Sequence, residues 1–303
     1  MRRHINGILL LDKPIDMTSN RALQMVKHLF NAKKAGHTGS LDPIATGMLP
    51  ICFGEATKFS QFLLESDKSY HVVAQLGVQT TTGDSEGEVM ATNPIDCVTE
   101  SALENIIPQF IGDITQIPPM FSAIKHQGQP LYKLARQGIE IERQPRHVKI
   151  FSLKLEKLEQ DKATFVVHCS KGTYIRTLVE DIGKELGCGA HVCQLRRLAV
   201  TPYQNALMYT LTELETLAKE SGQAALSPCL LPVETAVQVF PTIKLSTSAA
   251  FYLRMGQPVR ITSQLDSPLV RLVAEDSRFL GVGEVMSDGR VKPHRLISQS
   301  PRA

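Results

Sequence analysis

The chain has 303 residues, of which 43% are hydrophobic, and its formal net charge is +3 at pH 7. This length supports a large core and more than one domain without disulfide staples. The first apolar run, at residues 8–11, is too short for a signal peptide or a membrane span. The six cysteines are scattered and lack zinc spacing, so we expect cytoplasmic thiols and no metal.

The apolar pattern predicts interspersed strands and helices. In chain order, the predicted elements are a strand near 8–11, a helix capped at 18–20, a helix over 55–64, a strand over 68–76, a helix over 99–110, a hairpin of 148–158 with 163–169, and a helix over 174–186. No βαβ rhythm joins them, so we expect an α+β fold with a mixed or antiparallel sheet flanked by helices.

Between the first two helices, residues 36–50 read G-H-T-G-S-L-D-P-I-A-T-G-M-L-P and predict a loop. The glycines supply backbone freedom, and Pro43 pushes Asp42 toward an extended conformation. Surface loops are mostly polar, whereas this run is rich in apolar residues. An isolated Asp-Pro pair usually only opens a turn. The whole run predicts a loop that packs on the core and presents His37, Thr38 and Asp42 outward, with Asp42 as the candidate nucleophile.

A second unusual segment, residues 171–178, reads K-G-T-Y-I-R-T-L at a predicted strand-to-helix junction. Gly172 permits a tight turn there, and Thr173 can cap the helix. Arg176 then falls in the first helical turn, where the helix dipole disfavours a cation. We therefore expect an acidic partner for Arg176.

The basic residues are concentrated in three windows. Lys and Arg exceed Asp and Glu in residues 1–40, 125–149 and 278–302, whereas residues 65–113 are acidic. A charged run is usually only a solvated face, but three separate basic windows favour a nucleic-acid partner. Gln-Gly pairs within residues 125–149 predict a mobile RNA-gripping segment. Its candidate contacts to the RNA backbone are Lys133, Arg143 and Arg146.

After about residue 240 the composition changes. Prolines punctuate the approach, and a short helix near 246–255 is followed by short apolar segments separated by glycines and an Asp-Gly turn. We expect a catalytic domain over residues 1–240 and a small β-rich domain over residues 241–303. The small domain would add RNA affinity but no chemistry; the alternative is a structural cap.

The run over residues 36–50 closely resembles the catalytic loop of the TruB-type tRNA pseudouridine synthases. Further matches are G-E-A-T-K-F at 54–59, D-K-S-Y at 67–70, the segment 171–178, and H-V-C-Q-L-R-R at 191–197. Ser40 departs from the pattern, since alanine is common at that position. The resemblance implies the pseudouridine synthase fold with a PUA-like C-terminal domain. It also implies isomerisation of uridine-55 in the T-arm loop of tRNA by a monomer without a cofactor.

The resemblance also assigns roles to individual residues. Asp42, Tyr70 and Arg176 are the implied catalytic residues, with Asp42 as the partner of Arg176. Tyr70 also faces the substrate base, together with Tyr174 and Leu195. His37 occupies the space that the flipped-out uridine leaves.

Three roles of Asp42 remain open from the residues alone: attack on C1′ of the ribose, attack on C6 of the base, or assistance through a glycal route. Two other functions compete with isomerisation. One is a non-catalytic RNA-binding protein, against which the intact set of Asp42, Tyr70 and Arg176 argues. The other is a hydrolase, which lacks the second carboxylate that glycoside hydrolysis normally uses. Nucleotide-binding motifs are also missing.

Overall fold

The computed structural model describes residues 2–96, 98–261 and 267–298. Its strands are β1 (Gly7–Lys13), β2 (Ala35–His37), β3 (Ala45–Phe53), β4 (Lys68–Leu76), β5 (Val78–Thr80), β6 (Val89–Thr92), β7 (Gly112–Gln116), β8 (Lys125–His126), β9 (Gln129–Pro130), β10 (Arg146–Glu159), β11 (Lys162–Cys169), β12 (Ala190–Val200), β13 (Tyr209–Thr210), β14 (Thr242–Leu245), β15 (Val259–Arg260), β16 (Leu269–Ala274), β17 (Phe279–Val285) and β18 (Arg290–Leu296). Its α-helices are α1 (Ser19–Leu29), α2 (Ser60–Leu64), α3 (Glu100–Ile106), α4 (Leu131–Ala135), α5 (Ile175–Glu185), α6 (Leu211–Ser221) and α7 (Thr247–Arg254).

The main sheet has nine strands in the spatial order β13-β1-β3-β12-β4-β11-β10-β7, with β2 paired to β3. Most neighbours are antiparallel, but β12 runs parallel to β3 and β13 runs parallel to β1. The expected α+β fold with a mixed sheet is therefore confirmed. β12 lies between the strand that follows the Asp42 loop and β4, which carries Tyr70.

Alternation along the strands separates two cores. On β4 the residues Tyr70, Val72, Ala74 and Leu76 are buried, as the sequence predicted, and join the cluster that packs under α1, α3, α5 and α6. On β1, alternate residues point to opposite faces and reach two different clusters. The main sheet is thus covered on both sides at its β1–β3 end.

Several predicted elements differ from the structure in extent. Residues 36–50 are not one loop, because β2 and β3 pair across it and leave only residues 38–44 outside the strands. The helix predicted over 55–64 is a 3₁₀ turn, Gly54–Lys58, followed by α2. Thr173 does not cap α5: Tyr174 is the N-cap residue, and the Thr173 hydroxyl donates to the Ser170 carbonyl at 2.9 Å.

Among the elements that were not predicted, β12 is the longest strand and α6 is the longest helix. β12 reads as a mixed polar and apolar run, and its register is interrupted by two bulges against β4. α6 begins with a capping box in which Thr210 and Glu213 satisfy each other's backbone N–H groups. That four-residue pattern was visible in the sequence and could have located the helix.

The C-terminal part forms a second sheet of five strands in the order β14-β16-β17-β18-β15. It has a cluster of its own, but Val282 of β17 belongs to the cluster behind the main sheet, together with Phe59 and Met48. The rings of Phe59 and Phe279 lie 5.5 Å apart. The small β-rich unit therefore packs directly on the main one. None of the helices in the described ranges is long and apolar enough to span a bilayer.

Candidate active site

The loop that carries Asp42 is held by hydrogen bonds to the first residue of α1. The Ser19 hydroxyl, at the first residue of that helix, accepts from the Leu41 N–H at 2.8 Å and donates to the Leu41 carbonyl at 3.1 Å. Ser19 is buried. Because both polar groups of Leu41 are used, the residue before Asp42 is fixed in position and orientation.

A buried lysine braces the other side of Asp42. Lys13 is fully buried, and its Nζ donates to the carbonyls of Pro14 at 2.8 Å, Met17 at 2.6 Å and Pro43 at 3.3 Å. Burial lowers the pKa of Lys13 to about 8, and the nearby Asp42 carboxylate opposes that shift. Lys13 thereby ties the residue after Asp42 to the connection between β1 and α1.

Arg176, in the first turn of α5, contacts the exposed end of the loop. Its Nε lies 3.0 Å from Asp42 Oδ2, so the acidic partner expected from the sequence is present. The guanidinium also donates from Nη1 to the Thr82 carbonyl at 2.9 Å and from Nη2 to the Phe121 carbonyl at 2.7 Å. These bonds fix the guanidinium plane from which Nε faces Asp42.

A second carboxylate lies behind the same arginine. Arg176 Nη1 is 3.3 Å from Asp84 Oδ2, and Asp84 is 2% exposed. Asp84 Oδ1 accepts from the Thr82 hydroxyl and from the Glu86 N–H. Arg176 therefore stands between one carboxylate that is buried and one that reaches the surface.

The electrostatics of Asp42 reflect opposing influences. Burial raises the pKa of Asp42 above its usual range, and the Asp84 charge acts in the same direction. The Arg176 guanidinium and, more weakly, Lys13 act against that rise. The balance leaves Asp42 a carboxylate of increased basicity held by a cation.

Asp42 opens into a cleft of about 270 Å³. Its walls come from the Asp42 loop, β4, the turn before α5 and β12; they include Gly39, Leu41, Lys68, Tyr70, Ser170, Thr173, Tyr174, Arg176, Leu195 and Arg197. The cleft thus combines one accessible carboxylate, apolar side chains and tyrosines, in a volume suited to a single flat ring.

The backbone of Tyr174 is held in position by a side chain of β7, the strand at one edge of the main sheet. Gln116 is 2% exposed; its Oε1 accepts from the Tyr174 N–H at 3.0 Å, and its Nε2 donates to the Tyr174 carbonyl at 3.2 Å. The structure therefore brings Asp42, Tyr70, Tyr174, Leu195 and Arg176 together around one cleft.

His37 lies apart from that group. It is the last residue of β2, is half-buried, and is not among the residues that line the cleft. Burial and the charge of Arg197 lower the pKa of His37, so its imidazole is neutral near pH 7. Its Nδ1 is buried and has no hydrogen-bond partner among the residues that the structure describes.

Family models match almost the whole chain. The TruB family pseudouridylate synthase N-terminal domain matches residues 27–175, the tRNA pseudouridylate synthase B C-terminal domain matches residues 176–238, and the pseudouridine synthase II TruB C-terminal model matches residues 241–297. Tyr70 and Asp42 fall in the first of these, and Arg176 opens the second. The chain belongs to the TruB family of pseudouridylate synthases.

Relatives in the TruB family extend over nearly full length. The chain is 56% identical over 297 residues to the tRNA pseudouridine synthase B of Stutzerimonas stutzeri, covering 98% of this chain and 97% of the relative. It is 55% identical to the protein of that name from Coxiella burnetii strain RSA 493, covering 98% and 96%. The sequence resemblance is thus confirmed: the chain is a pseudouridine synthase.

Solved structures agree with the TruB assignment. A crystal structure of a Cbf5-Nop10-Gar1 complex contains a chain with a TM-score of 0.73 and 26% identity, covering 98% of this chain and 85% of the other. An H/ACA RNP bound to a substrate RNA containing 2′-deoxyuridine contains one with a TM-score of 0.75 at 24% identity, covering 97% and 85%. At 24% identity, this second similarity is evidence for the fold only.

The three basic residues predicted to bind the RNA backbone have different surroundings in this TruB-family chain. Lys133 is exposed on α4, and Arg146 is exposed at the start of β10, where it is paired with Gln116 of β7. Arg143 is half-buried: it donates to the Pro118 carbonyl at 3.4 Å and to Glu140 at 3.0 Å. The segment 125–149 therefore contains a short hairpin, a helix and the beginning of a long strand.

Three residues at the site were not singled out from the sequence: Lys13, Asp84 and Arg197. Asp84 lies in a window that reads simply as acidic, and Lys13 follows a strand without any local motif. Arg197 was inside a matched block but received no role. Across residues 2–96, 98–261 and 267–298, no group of three or more His, Cys, Asp or Glu side chains is arranged to hold a metal ion.

Proposed function

We propose that this pseudouridine synthase isomerises uridine-55 in the T-arm loop of tRNA, with Asp42 as the nucleophile. It acts as a cytoplasmic monomer and uses neither a metal nor a cofactor. Residues 1–240 form the catalytic unit, and residues 241–303 form an RNA-binding unit. The observation that carries the proposal is the ion pair of 3.0 Å between Arg176 and Asp42 at the mouth of a ring-sized cleft. The tRNA substrate is proposed because relatives at 56% and 55% identity are named tRNA pseudouridine synthase B.

The reaction exchanges one bond for another. The bond between N1 and C1′ breaks, the uracil turns, and a bond between C5 and C1′ forms; C5 loses a proton and N1 gains one. Nothing is oxidised or hydrolysed. Attack on C1′, addition to C6 and the glycal route each need an ionised and correctly aimed Asp42. Arg176 supplies both conditions, because a guanidinium favours the ionised carboxylate and its fork fixes geometry.

Water must be kept from C1′, because its addition there would hydrolyse the glycosidic bond instead of isomerising the nucleotide. Inverting glycosidases place two carboxylates about 6.5–9.5 Å apart around a water, and retaining ones place them about 5–5.5 Å apart around the sugar. The other carboxylates near Asp42 are Asp84, which is buried and faces Arg176, and Glu86; neither is among the residues that line the cleft. Asp84 is therefore withdrawn from the cleft, and the arrangement favours isomerisation over hydrolysis.

The target base lies inside folded RNA and must leave its stack to reach Asp42. Tyr70 and Leu195 line the cleft and provide an aromatic and an aliphatic surface for the flipped uracil. Tyr70 assists proton removal from C5, and Tyr174 contacts the nucleotide at the cleft edge. His37, outside the cleft, fills the space that the base vacates. Lys133, Arg143 and Arg146 contact the RNA backbone.

A tritium-release assay tests this function. A tRNA transcript labelled with tritium at C5 of its uridines loses the label to water when C5 bonds to C1′. We expect release of one equivalent per tRNA, in the presence of EDTA, and no release from a transcript in which cytidine replaces uridine-55. Equal release from both transcripts would contradict the assignment of uridine-55. Binding without release would favour a non-catalytic RNA-binding protein.

A further inference from the structure

Arg197 takes no part in the chemistry above, yet it is among the largest fully buried side chains of the molecule, with 1% of its surface exposed. We infer that Arg197 is a positioning residue for the isomerisation: it aims the Tyr70 hydroxyl at the bound base and joins Tyr70 to the Asp42 loop. The inference rests on the proposed function and adds a residue to it.

Arg197 bridges the two ends of the Asp42 loop. Its Nε donates to the Met48 carbonyl at 2.7 Å, and its Nη2 donates to the Gly39 carbonyl at 3.1 Å. Gly39 precedes Asp42 in the loop, and Met48 belongs to β3, which follows it. The guanidinium therefore holds the loop on β12, independently of the contacts from Ser19 and Lys13.

Within the described part of the chain, no carboxylate pairs with the charge of Arg197. Arg176 and Arg196 each pair with a carboxylate, whereas no Asp or Glu of the described residues forms an ion pair with Arg197. Burial lowers the pKa of Lys13, His37 and Lys68, and the positive charge of Arg197 lowers each of them further. Burying a cation that is compensated by neutral oxygen atoms alone is costly. We therefore expect the buried charge of Arg197 to stabilise or orient a neighbouring group that takes part in the reaction.

Tyr70 is the neighbour that can use this charge. Tyr70 on β4 and Arg197 on β12 are direct partners across two antiparallel strands, so their side chains leave the sheet on the same face. Both line the cleft. A guanidinium has donors only, so the phenol oxygen of Tyr70 is the acceptor in any hydrogen bond between them. The hydroxyl hydrogen is then left to point toward the base.

The electrostatics agree with this geometry. Burial raises the pKa of Tyr70, and the nearby Cys169 thiol and Asp42 carboxyl raise it further, whereas the charge and hydrogen bond of Arg197 lower it. A tyrosine held in this way gives up its proton more readily than an equally buried tyrosine without the cation. Arg197 therefore stabilises the phenolate that Tyr70 becomes when its hydroxyl proton passes to N1 of the detached uracil, and this phenolate then accepts the proton that C5 loses.

A double-mutant cycle separates this role from simple bracing of the loop. Single-turnover rates are measured, with excess enzyme over unmodified tRNA, for the wild type, Arg197→Lys, Tyr70→Phe and the double variant. We expect Arg197→Lys to slow the reaction about tenfold while the tRNA Kd changes by less than about twofold. With Phe at position 70, the same substitution should slow the residual reaction by less than about twofold.

Arg196→Lys is the matched control. Arg196 is the adjacent residue on the same strand, is half-exposed, and pairs with Asp12 rather than with any cleft residue. It should show no coupling with Tyr70→Phe. If Arg197→Lys slows the reaction equally with Tyr or Phe at position 70, Arg197 only braces the loop and the inference is wrong.

A second measurement covers the case in which Arg197→Lys does not fold. In protein labelled with ¹⁵N at arginine, the guanidinium N–H signals of Arg197 are compared between the wild type and Tyr70→Phe. We expect these signals to shift and to exchange faster with water in the Phe variant. Unchanged signals would overturn the inference. This readout needs no turnover, so its failure is distinct from a failure of the proposed function, which a wild type inactive on tRNA would reveal.

Discussion

Arg176 and Asp42 form an ion pair of 3.0 Å whose two members differ sharply in exposure: 5% of the arginine side chain is accessible, against 38% of the aspartate side chain. The arginine is fixed from behind by Asp84 and two carbonyl groups, while the aspartate faces the cleft. An immobile cation thus holds an accessible carboxylate. Asp42 needs little reorganisation when the substrate arrives.

The pH dependence of the reaction should move in opposite directions in two variants. Under the proposed function, activity requires ionised Asp42, so we expect it to fall as the pH drops through the pKa of that carboxyl. Arg176→Gln removes the cation that lowers this pKa, and the acid limb of kcat/KM should move to higher pH by about 1 unit or more. Asp84→Asn removes a charge that raises it, so the limb should move to lower pH. Shifts in the same direction in both variants would contradict this electrostatic arrangement.

Gly47→Ala should destabilise the fold strongly. Gly47 has φ +98°, and a Cβ there would lie 2.2 Å from the Arg197 carbonyl oxygen, where β3 and β12 run side by side. We expect a loss of roughly 2–4 kcal/mol in the free energy of unfolding, measured by denaturant titration. Gly36→Ala is the control, because no heavy atom lies within 4 Å of the added Cβ. Equal stability of the two variants would show that the close approach of β3 and β12 is absent.

Reversing the charges of Lys133 and Arg146 should weaken tRNA binding rather than catalysis. Both side chains are exposed, so their substitution by Glu breaks no internal ion pair among the described residues. We expect KM for tRNA to rise about tenfold with kcat nearly unchanged, and the salt dependence of binding to become shallower. Lys219→Glu is the matched control, because Lys219 is an exposed residue of α6 outside the basic windows. An unchanged KM would remove residues 125–149 from the RNA-binding surface.

The C-terminal unit should add affinity for whole tRNA. Truncation is a poor test, because it would expose Phe59 and Met48, which pack with Val282. Arg290 and Lys292 can instead be replaced by Gln, since their ion pairs within the unit are exposed and contribute little. We expect KM to rise for intact tRNA but not for an isolated T-arm stem-loop. Equal effects on both substrates would place these residues at the T-arm.

Much of the fold could be predicted from the apolar pattern. Strand β4 alternates strictly, and α1 has an apolar face and a capping Thr18, so local rules were sufficient for both. They failed for β3, because glycines and prolines within the 36–50 run are typical of loops. In the structure, Gly47 is required there by the close approach of Arg197 on β12. Such a contact between distant segments leaves no trace in local periodicity.

The site was only partly accessible to the same reasoning. The conflict between Arg176 and the helix dipole correctly indicated an acidic partner, since that conflict is local. Asp84 and Lys13 act through bonds to segments that are far away in the sequence. Their roles depend on how deeply they are buried, and the burial of an individual polar residue cannot be derived from the sequence alone.

Two residues considered in the sequence analysis, Arg302 of the third basic window and Cys97, lie outside the described residues.

The most direct test of the central claim compares wild type and Asp42→Asn on one unmodified tRNA transcript. Pseudouridine is mapped by its altered carbodiimide reactivity, and tRNA binding is measured by filter retention. Asn keeps the shape of the side chain but is a far weaker nucleophile and loses the charge that pairs with Arg176. We predict modification at uridine-55 by the wild type, none by Asp42→Asn, and closely similar tRNA Kd values. Modification by Asp42→Asn at the wild-type rate, or at another uridine in the wild type, would contradict the account.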